Sequence, residues 1–150
     1  MKTETFYPQK ISQQFSMEPM HDDYVESMEL KDNQLIITYN HLLTEGVLAP
    51  GGVPYHQYDK LTITYTFDSY CDFIFRTKKK LTEVPFLTIE KMLHSKTLVL
   101  ESSKYMIDNF GELLLIFCCK NRKTKKLYAL YIQLDPMEIT YVWEDKTKHS

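Results

Sequence analysis

Histidine and carboxylate side chains gather near the start of the chain, and groups of these types can bind a divalent metal or perform acid–base chemistry. His21 is followed directly by Asp22 and Asp23, and two further histidines, His41 and His56, come later. These groups act together only if they converge in space. The spacing does not force convergence, because neighbours in a strand point to opposite faces, so a turn or a solvated strand edge is the competing interpretation.

The same region is strongly acidic. Six carboxylates lie within residues 18–32, where the only lysine or arginine is Lys31. Such a surface can dock a basic protein, because complementary charge raises association rates and selects partners. A solvated outer face without a partner is the alternative. We predict a protein-binding site together with the loop at residues 50–54, and its residues are Asp22, Asp23, Glu26 and Glu29.

A basic segment occurs in the C-terminal third. Five of the seven residues at 120–126 are lysine or arginine, at a predicted hairpin tip. A projecting basic hairpin can follow a phosphate backbone, but lysine-rich turns also keep sheets soluble and prevent their edges from pairing. The formal net charge of −2 argues against nucleic acid as a partner. The lysines at 78–80 would strengthen that interpretation only if they lay on the same face.

The three cysteines, Cys71, Cys118 and Cys119, cannot all pair, which indicates a reducing compartment. Cys118 and Cys119 should point to opposite faces of a strand, and we expect the cysteines to be buried or half-buried small hydrophobic residues, with a redox or metal site as the alternative. The sequence has no Cys-x-x-Cys or Gly-x-Ser-x-Gly motif and no phosphate-loop or dinucleotide fingerprint. We therefore expect a protein without catalytic activity, cofactor or metal.

The composition is that of a globular protein. The 150 residues are 43% hydrophobic and 25% charged, and 11 tyrosines and 8 phenylalanines against 4 glycines favour aromatic-rich strands. The longest apolar run, residues 113–119, is far shorter than the roughly 20 residues that span a bilayer, and from the first residues we expect no leader segment. We expect a cytoplasmic protein of one domain, residues 1–150, with no membrane partner.

Alternation of apolar and polar residues predicts most of the secondary structure. Residues 60–67 place Leu, Ile, Tyr and Phe on one side and threonine on the other, which is typical of a half-buried strand. Residues 24–30 and 35–39 predict a hairpin. A second hairpin is predicted from 60–67 and 71–75, with a turn at Asp68-Ser69-Tyr70. Four further strands, separated by turn residues that include Asp135-Pro136, predict a meander at 97–107, 112–120, 127–134 and 138–143.

The remaining segments complete the prediction. Residues 86–93, preceded by Pro85, have the spacing of one short amphipathic helix. The unbroken apolar run at 113–117 indicates a strand in mid-sheet with both faces covered. We expect an irregular arm at 1–20, a loop at 44–58 and a frayed tail at 144–150. The fold class is mainly β (α+β), an antiparallel sandwich or curved sheet of about eight strands with one short helix.

Residues 21–37 carry a resemblance to a known group of proteins. Their order of His-Asp, strand, turn and leucine-containing strand resembles the opening of small bacterial β-rich immunity proteins, which neutralise polymorphic toxins. The resemblance covers about the first third of the chain. It implies a cytosolic single-domain protein that binds and blocks a cognate toxin, and the predicted acidic surface would suit a basic one. No binding motif matches residue by residue, so the resemblance assigns no role to any residue.

Two other functions compete with protein binding. In a small-molecule or lipid carrier, Tyr65, Phe67, Phe73 and Phe75 would line a cavity between sheet and helix, although such aromatics are usually plain core. In a metal-dependent hydrolase, the site would be formed by His21, Asp22, His41 and His56. The tyrosine-rich faces are also compatible with a homodimer.

Overall fold

The computed structural model describes residues 2–6, 24–40, 60–107 and 112–144, which form eight strands and one helix. In chain order the elements are β1 (Lys2–Phe6), β2 (Tyr24–Lys31), β3 (Gln34–Asn40), β4 (Lys60–Arg76), β5 (Leu81–Val84), α1 (Phe86–His94), β6 (Leu98–Ile107), β7 (Leu113–Asn121) and β8 (Leu127–Glu144). This confirms the predicted fold class, an antiparallel, mainly β protein with one short helix.

The strands form one curved antiparallel sheet, organised around two long strands. The order is β2-β3-β4-β8-β7-β6, with β1 paired to β8 and β5 paired to β4. Strands β4 and β8 pair from Lys60 opposite Glu144 to Arg76 opposite Ala129. One half of this central pair carries β3 and β1, and the other half carries β5 and β7. The central pair of β4 and β8 therefore connects two halves of the sheet that contain different flanking strands.

The concave face of the sheet holds the core, and helix α1 closes it. Strands β2 and β6, at the two ends of the strand order, approach each other, and α1 contacts both. Ile89 of α1 is fully buried in this position, whereas Leu87 on the same helix is 55% exposed. The helix begins after Pro85, as predicted, and the carbonyl of Pro85 accepts a hydrogen bond from the N–H of Thr88 at 3.0 Å.

The alternation in the sequence corresponds to the two faces of the sheet. In the first half of β4, Leu61, Ile63 and Tyr65 are buried, and the intervening threonines are half-buried. The predicted hairpin of β2 and β3 and the meander of β6, β7 and β8 are both present. These agreements follow from the period of two along a strand, which assigns each residue to a face.

The prediction of turns within β4 and β8 was wrong. Both strands continue through the predicted turn residues, which lie opposite each other as a bulge in the β4–β8 ladder. The carboxylate of Asp135 accepts hydrogen bonds from the backbone N–H groups of Ser69, at 2.9 and 3.0 Å, and Tyr70, at 3.0 Å. Burial opposes ionisation of Asp135, but these hydrogen bonds lower its pKa overall. The polar residues therefore satisfy the unpaired amides of a bulge rather than reverse the chain.

Three smaller predictions also need correction. Residues 2–6, placed in an irregular arm, form β1, because they pair with the second half of β8. Leu113 to Phe117 lie in mid-sheet as predicted, but only the concave side is buried, and Leu114 and Ile116 are half-buried. Glu144, placed in the frayed tail, is the last residue of β8, where it pairs with Lys60 at 3.7 Å. The predicted loop at 44–58 lies outside the described residues.

Candidate functional site

Strand β2 carries two of the four predicted binding residues, Glu26 and Glu29, and both are exposed. A regular strand would place them on opposite faces, because they are three residues apart. A bulge between Val25 and Ser27 changes this parity. It lets Val25 and Met28, also three apart, both pack towards the core, while Glu26 and Glu29 both face solvent. We call Glu26 and Glu29 the acidic edge.

The acidic edge lies on β2, an outer strand that pairs with β3 and packs against the core. Strand β2 pairs with β3 from Tyr24 to Lys31, and Met28 is buried while Leu30 is packed against the core. The other two predicted residues, Asp22 and Asp23, lie outside the described residues, as do His21, His41 and His56. All four residues of the predicted hydrolase site therefore lie outside the described residues. Within its described ranges it contains no group of three or more His, Cys, Asp or Glu side chains arranged to hold a metal ion.

Lysine and arginine residues cluster at another part of the sheet. Because Arg76 at the end of β4 pairs with Ala129 near the start of β8, the segment at 78–80 and the segment at 120–126 lie at the same end. Lys96, which precedes β6, joins them, since the carbonyl of Thr97 accepts a hydrogen bond from the N–H of Arg122 at 2.9 Å. We call these residues the basic end: Arg76, Lys78, Lys79, Lys80, Lys96, Lys120, Arg122, Lys123, Lys125 and Lys126.

A groove opens between the two basic segments. Its volume is about 630 Å³, and it is lined by Thr77, Lys78, Lys79, Lys126, Leu127 and Tyr128. The Tyr128 ring packs edge-on against Phe75 with centroids 5.2 Å apart. The Tyr128 hydroxyl is buried without a hydrogen-bond partner among the described residues, and burial raises its pKa to about 12. The sequence did not identify Tyr128 as a candidate residue. Its position at the groove depends on the β7–β8 ladder, in which Tyr128 lies opposite Cys119.

The aromatic residues proposed for a carrier cavity lie in the core or against it. Tyr65, Phe67 and Phe73 belong to the buried cluster, and Phe75 packs against it. None of the four lines the groove at the basic end. Their burial agrees with the alternative that the sequence left open, in which they are packing residues.

The cysteines agree with the prediction in part, because Cys118 is exposed and not buried or half-buried as expected. Cys118 is exposed and Cys119 is buried, so the two neighbours point to opposite faces of β7. Burial raises the pKa of the Cys71 thiol to about 12, with the charges of Asp72 and Asp135 adding to the effect. Burial also raises the pKa of Cys119 well above its usual value. Both thiols are therefore protonated at neutral pH, a state in which cysteine is a poor nucleophile.

Comparison with protein-family models, with curated proteins and with solved structures gave no match. The resemblance of residues 21–37 to immunity proteins therefore rests on those residues alone. The described part of the chain has no helix with the length and apolarity needed to cross a membrane.

Proposed function

We propose that this protein is a non-enzymatic binding domain that docks a basic protein partner through the acidic edge. The observation that supports the proposal is the bulge in β2. It keeps both Glu26 and Glu29 on the solvent side, although residues three apart in a regular strand would face opposite sides. Two carboxylates on one side of a fixed strand present a defined negative surface. Such a surface attracts and orients a positively charged partner before contact.

The scaffold behind the acidic edge favours binding. Strand β2 is held by its ladder to β3, and its apolar side packs into the core beneath α1. The two carboxylates therefore start from an ordered backbone, so little backbone entropy is lost when a partner binds. Asp22 and Asp23 precede β2 directly in sequence, and we include them in the proposed surface.

The resemblance of residues 21–37 suggests the kind of partner. We propose a toxin that the protein neutralises by covering its basic surface, within the cytoplasm. Neutralisation of this kind needs affinity and no chemical step in the binding protein. Expression of the captured partner alone should then arrest growth, and co-expression of this protein should restore growth.

The test is capture of a partner by the tagged protein from an extract of its own source, with two matched variants. Glu26→Lys/Glu29→Lys reverses both charges of the acidic edge. Glu83→Lys/Glu90→Lys makes the same net change at two exposed carboxylates on β5 and α1. We expect one stoichiometric basic partner with the wild type and the control, and at least a tenfold loss with the first variant. Equal recovery with both variants would reject the acidic edge as the site.

A further inference from the structure

We propose that the basic end binds single-stranded nucleic acid, with the groove between its two basic segments as the contact site. This inference goes beyond the proposed function and does not depend on it. It starts from the condition set by the sequence, that residues 78–80 should lie on the same face as residues 120–126; Lys78, Lys79 and Lys126, which line one groove, face each other across it. The β4–β8 ladder brings the two segments together, because it places the end of β4 beside the start of β8.

The charge at this end is large and mainly positive, and the carboxylate that follows it in the β4–β5 hairpin is Glu83, which pairs with Ile74. The basic end holds ten of the chain's 18 lysine and arginine residues, and no aspartate or glutamate occurs within residues 76–82, 95–98 or 119–128. Nine of the ten are exposed, and Lys120 is half-buried. Among the described residues, none of the ten pairs with a carboxylate. Polyanion binding is driven by such cations, which replace the counterions of phosphates.

The two segments are held in place by their own hydrogen bonds. The side-chain oxygen of Asn121 accepts bonds from the N–H groups of Lys123, at 2.9 Å, and Thr124, at 3.1 Å. Lys125 has a φ of 62° and donates its N–H to the carbonyl of Asn121 at 2.8 Å. In the other segment, the N–H of Thr77 donates to the carbonyl of Lys80 at 3.0 Å. The lysines therefore project from ordered turns, which reduces the entropy lost on binding.

The groove itself distinguishes a single strand from other polyanions. Its lining joins apolar surface from Leu127, which is 69% exposed, and the ring of Tyr128 to the ammonium groups of Lys78, Lys79 and Lys126. A volume of about 630 Å³ lies within the range of ligand pockets, roughly 300–1,000 Å³. Single strands are bound where a cationic groove follows the backbone and aromatic or apolar surface receives the bases. A duplex keeps its bases stacked inside and cannot use the apolar surface.

The experiment measures binding of the full chain to a labelled 20-nucleotide single strand by fluorescence anisotropy, at salt concentrations from 50 to 200 mM. Lys78→Glu/Lys126→Glu reverses two charges in the groove. Lys31→Glu/Lys91→Glu makes the same net change at two exposed lysines outside its lining. A neutral pair, Lys79→Gln/Lys126→Gln, repeats the test with a milder change. Thermal melts establish that each variant is folded.

We expect saturable binding by the wild type and the Lys31/Lys91 variant, and at least a tenfold loss for the Lys78/Lys126 variant. Each lysine contact to a phosphate of a single strand contributes about 0.7 to the magnitude of the slope of log affinity against log salt concentration. The loss of two such contacts should therefore reduce the magnitude of that slope by about 1.4. Three results would overturn the proposal. They are no saturable binding by the wild type, equal losses in the groove and control variants, and tighter binding of a duplex, polyglutamate or phosphatidylserine vesicles.

Discussion

Substitution of Ile89 by alanine should strongly destabilise the protein, because this side chain joins α1 to the sheet. Ile89 is fully buried, and α1 contacts both β2 and β6 at the opening of the curved sheet. The half-buried residues Phe86, Met92 and Leu93 pack around the same core. No other residue of α1 is fully enclosed, so no neighbour on the helix can replace its contacts.

The magnitude follows from the atoms removed. Truncating a buried isoleucine to alanine typically costs about 2–5 kcal/mol, from lost transfer free energy and the cavity that remains. Alanine is the better helix former, but by only a few tenths of a kcal/mol, which does not offset this loss. Ile89→Val, which removes one methylene, should cost about 0.5–1.5 kcal/mol. Total stability of a domain is about 5–15 kcal/mol, so Ile89→Ala should remove a large part of it.

The assay is urea unfolding followed by circular dichroism, with Leu87→Ala as the matched control. Leu87 lies on the same helix but is 55% exposed, so its truncation should cost less than about 1 kcal/mol. The three variants should therefore order as Ile89→Ala, then Ile89→Val, then Leu87→Ala in destabilisation. Equal midpoints for Ile89→Ala and Leu87→Ala would refute the role of α1 as the closing element of the core.

Three further predictions concern single side chains. Asp135→Asn should cost about 1 kcal/mol at pH 7. Because folding lowers the pKa of Asp135, its carboxylate contributes fully to the stability of the protein above about pH 4, and this contribution is lost at lower pH. The melting temperatures of the wild type and the variant should therefore become equal in acid. Tyr128→Phe should leave stability unchanged or raise it by up to about 1 kcal/mol in urea unfolding, because the hydroxyl is buried without a partner; a clear loss would contradict this. Cys118 should react with a thiol reagent rapidly, the partly buried Cys71 more slowly, and Cys119 only on unfolding; mass spectrometry of labelled peptides identifies the site, and early labelling of Cys119 would contradict its burial.

The fold could be predicted where information is local. Alternation along residues 60–67 assigns each side chain to a face, and the spacing at 86–93 identifies the helix, because both patterns are properties of one segment. The polar residues at 68–70 and 135–136 were misassigned because the same residue types suit a turn and a bulge. Only the pairing of β4 with β8, a contact between distant segments, decides between them.

The same distinction applies to the candidate sites. The sequence identified Glu26 and Glu29, but their common face depends on a bulge that is defined by pairing with β3. It also identified both basic segments and left open whether they meet. Their meeting, and the position of Tyr128 in the groove between them, depend on the register of β8 with β4 and β7. Residue types could therefore be predicted, whereas their assembly depends on long-range pairing.

The most direct test of the proposed function is hydrogen–deuterium exchange of the protein alone and in complex with its captured partner. If the partner docks on the acidic edge, exchange should slow in peptides covering Val25 to Leu30, and strand β5 with its control residue Glu83 should be unaffected. Unchanged exchange across β2 in a saturated complex would contradict the account, because the partner would then occupy another surface.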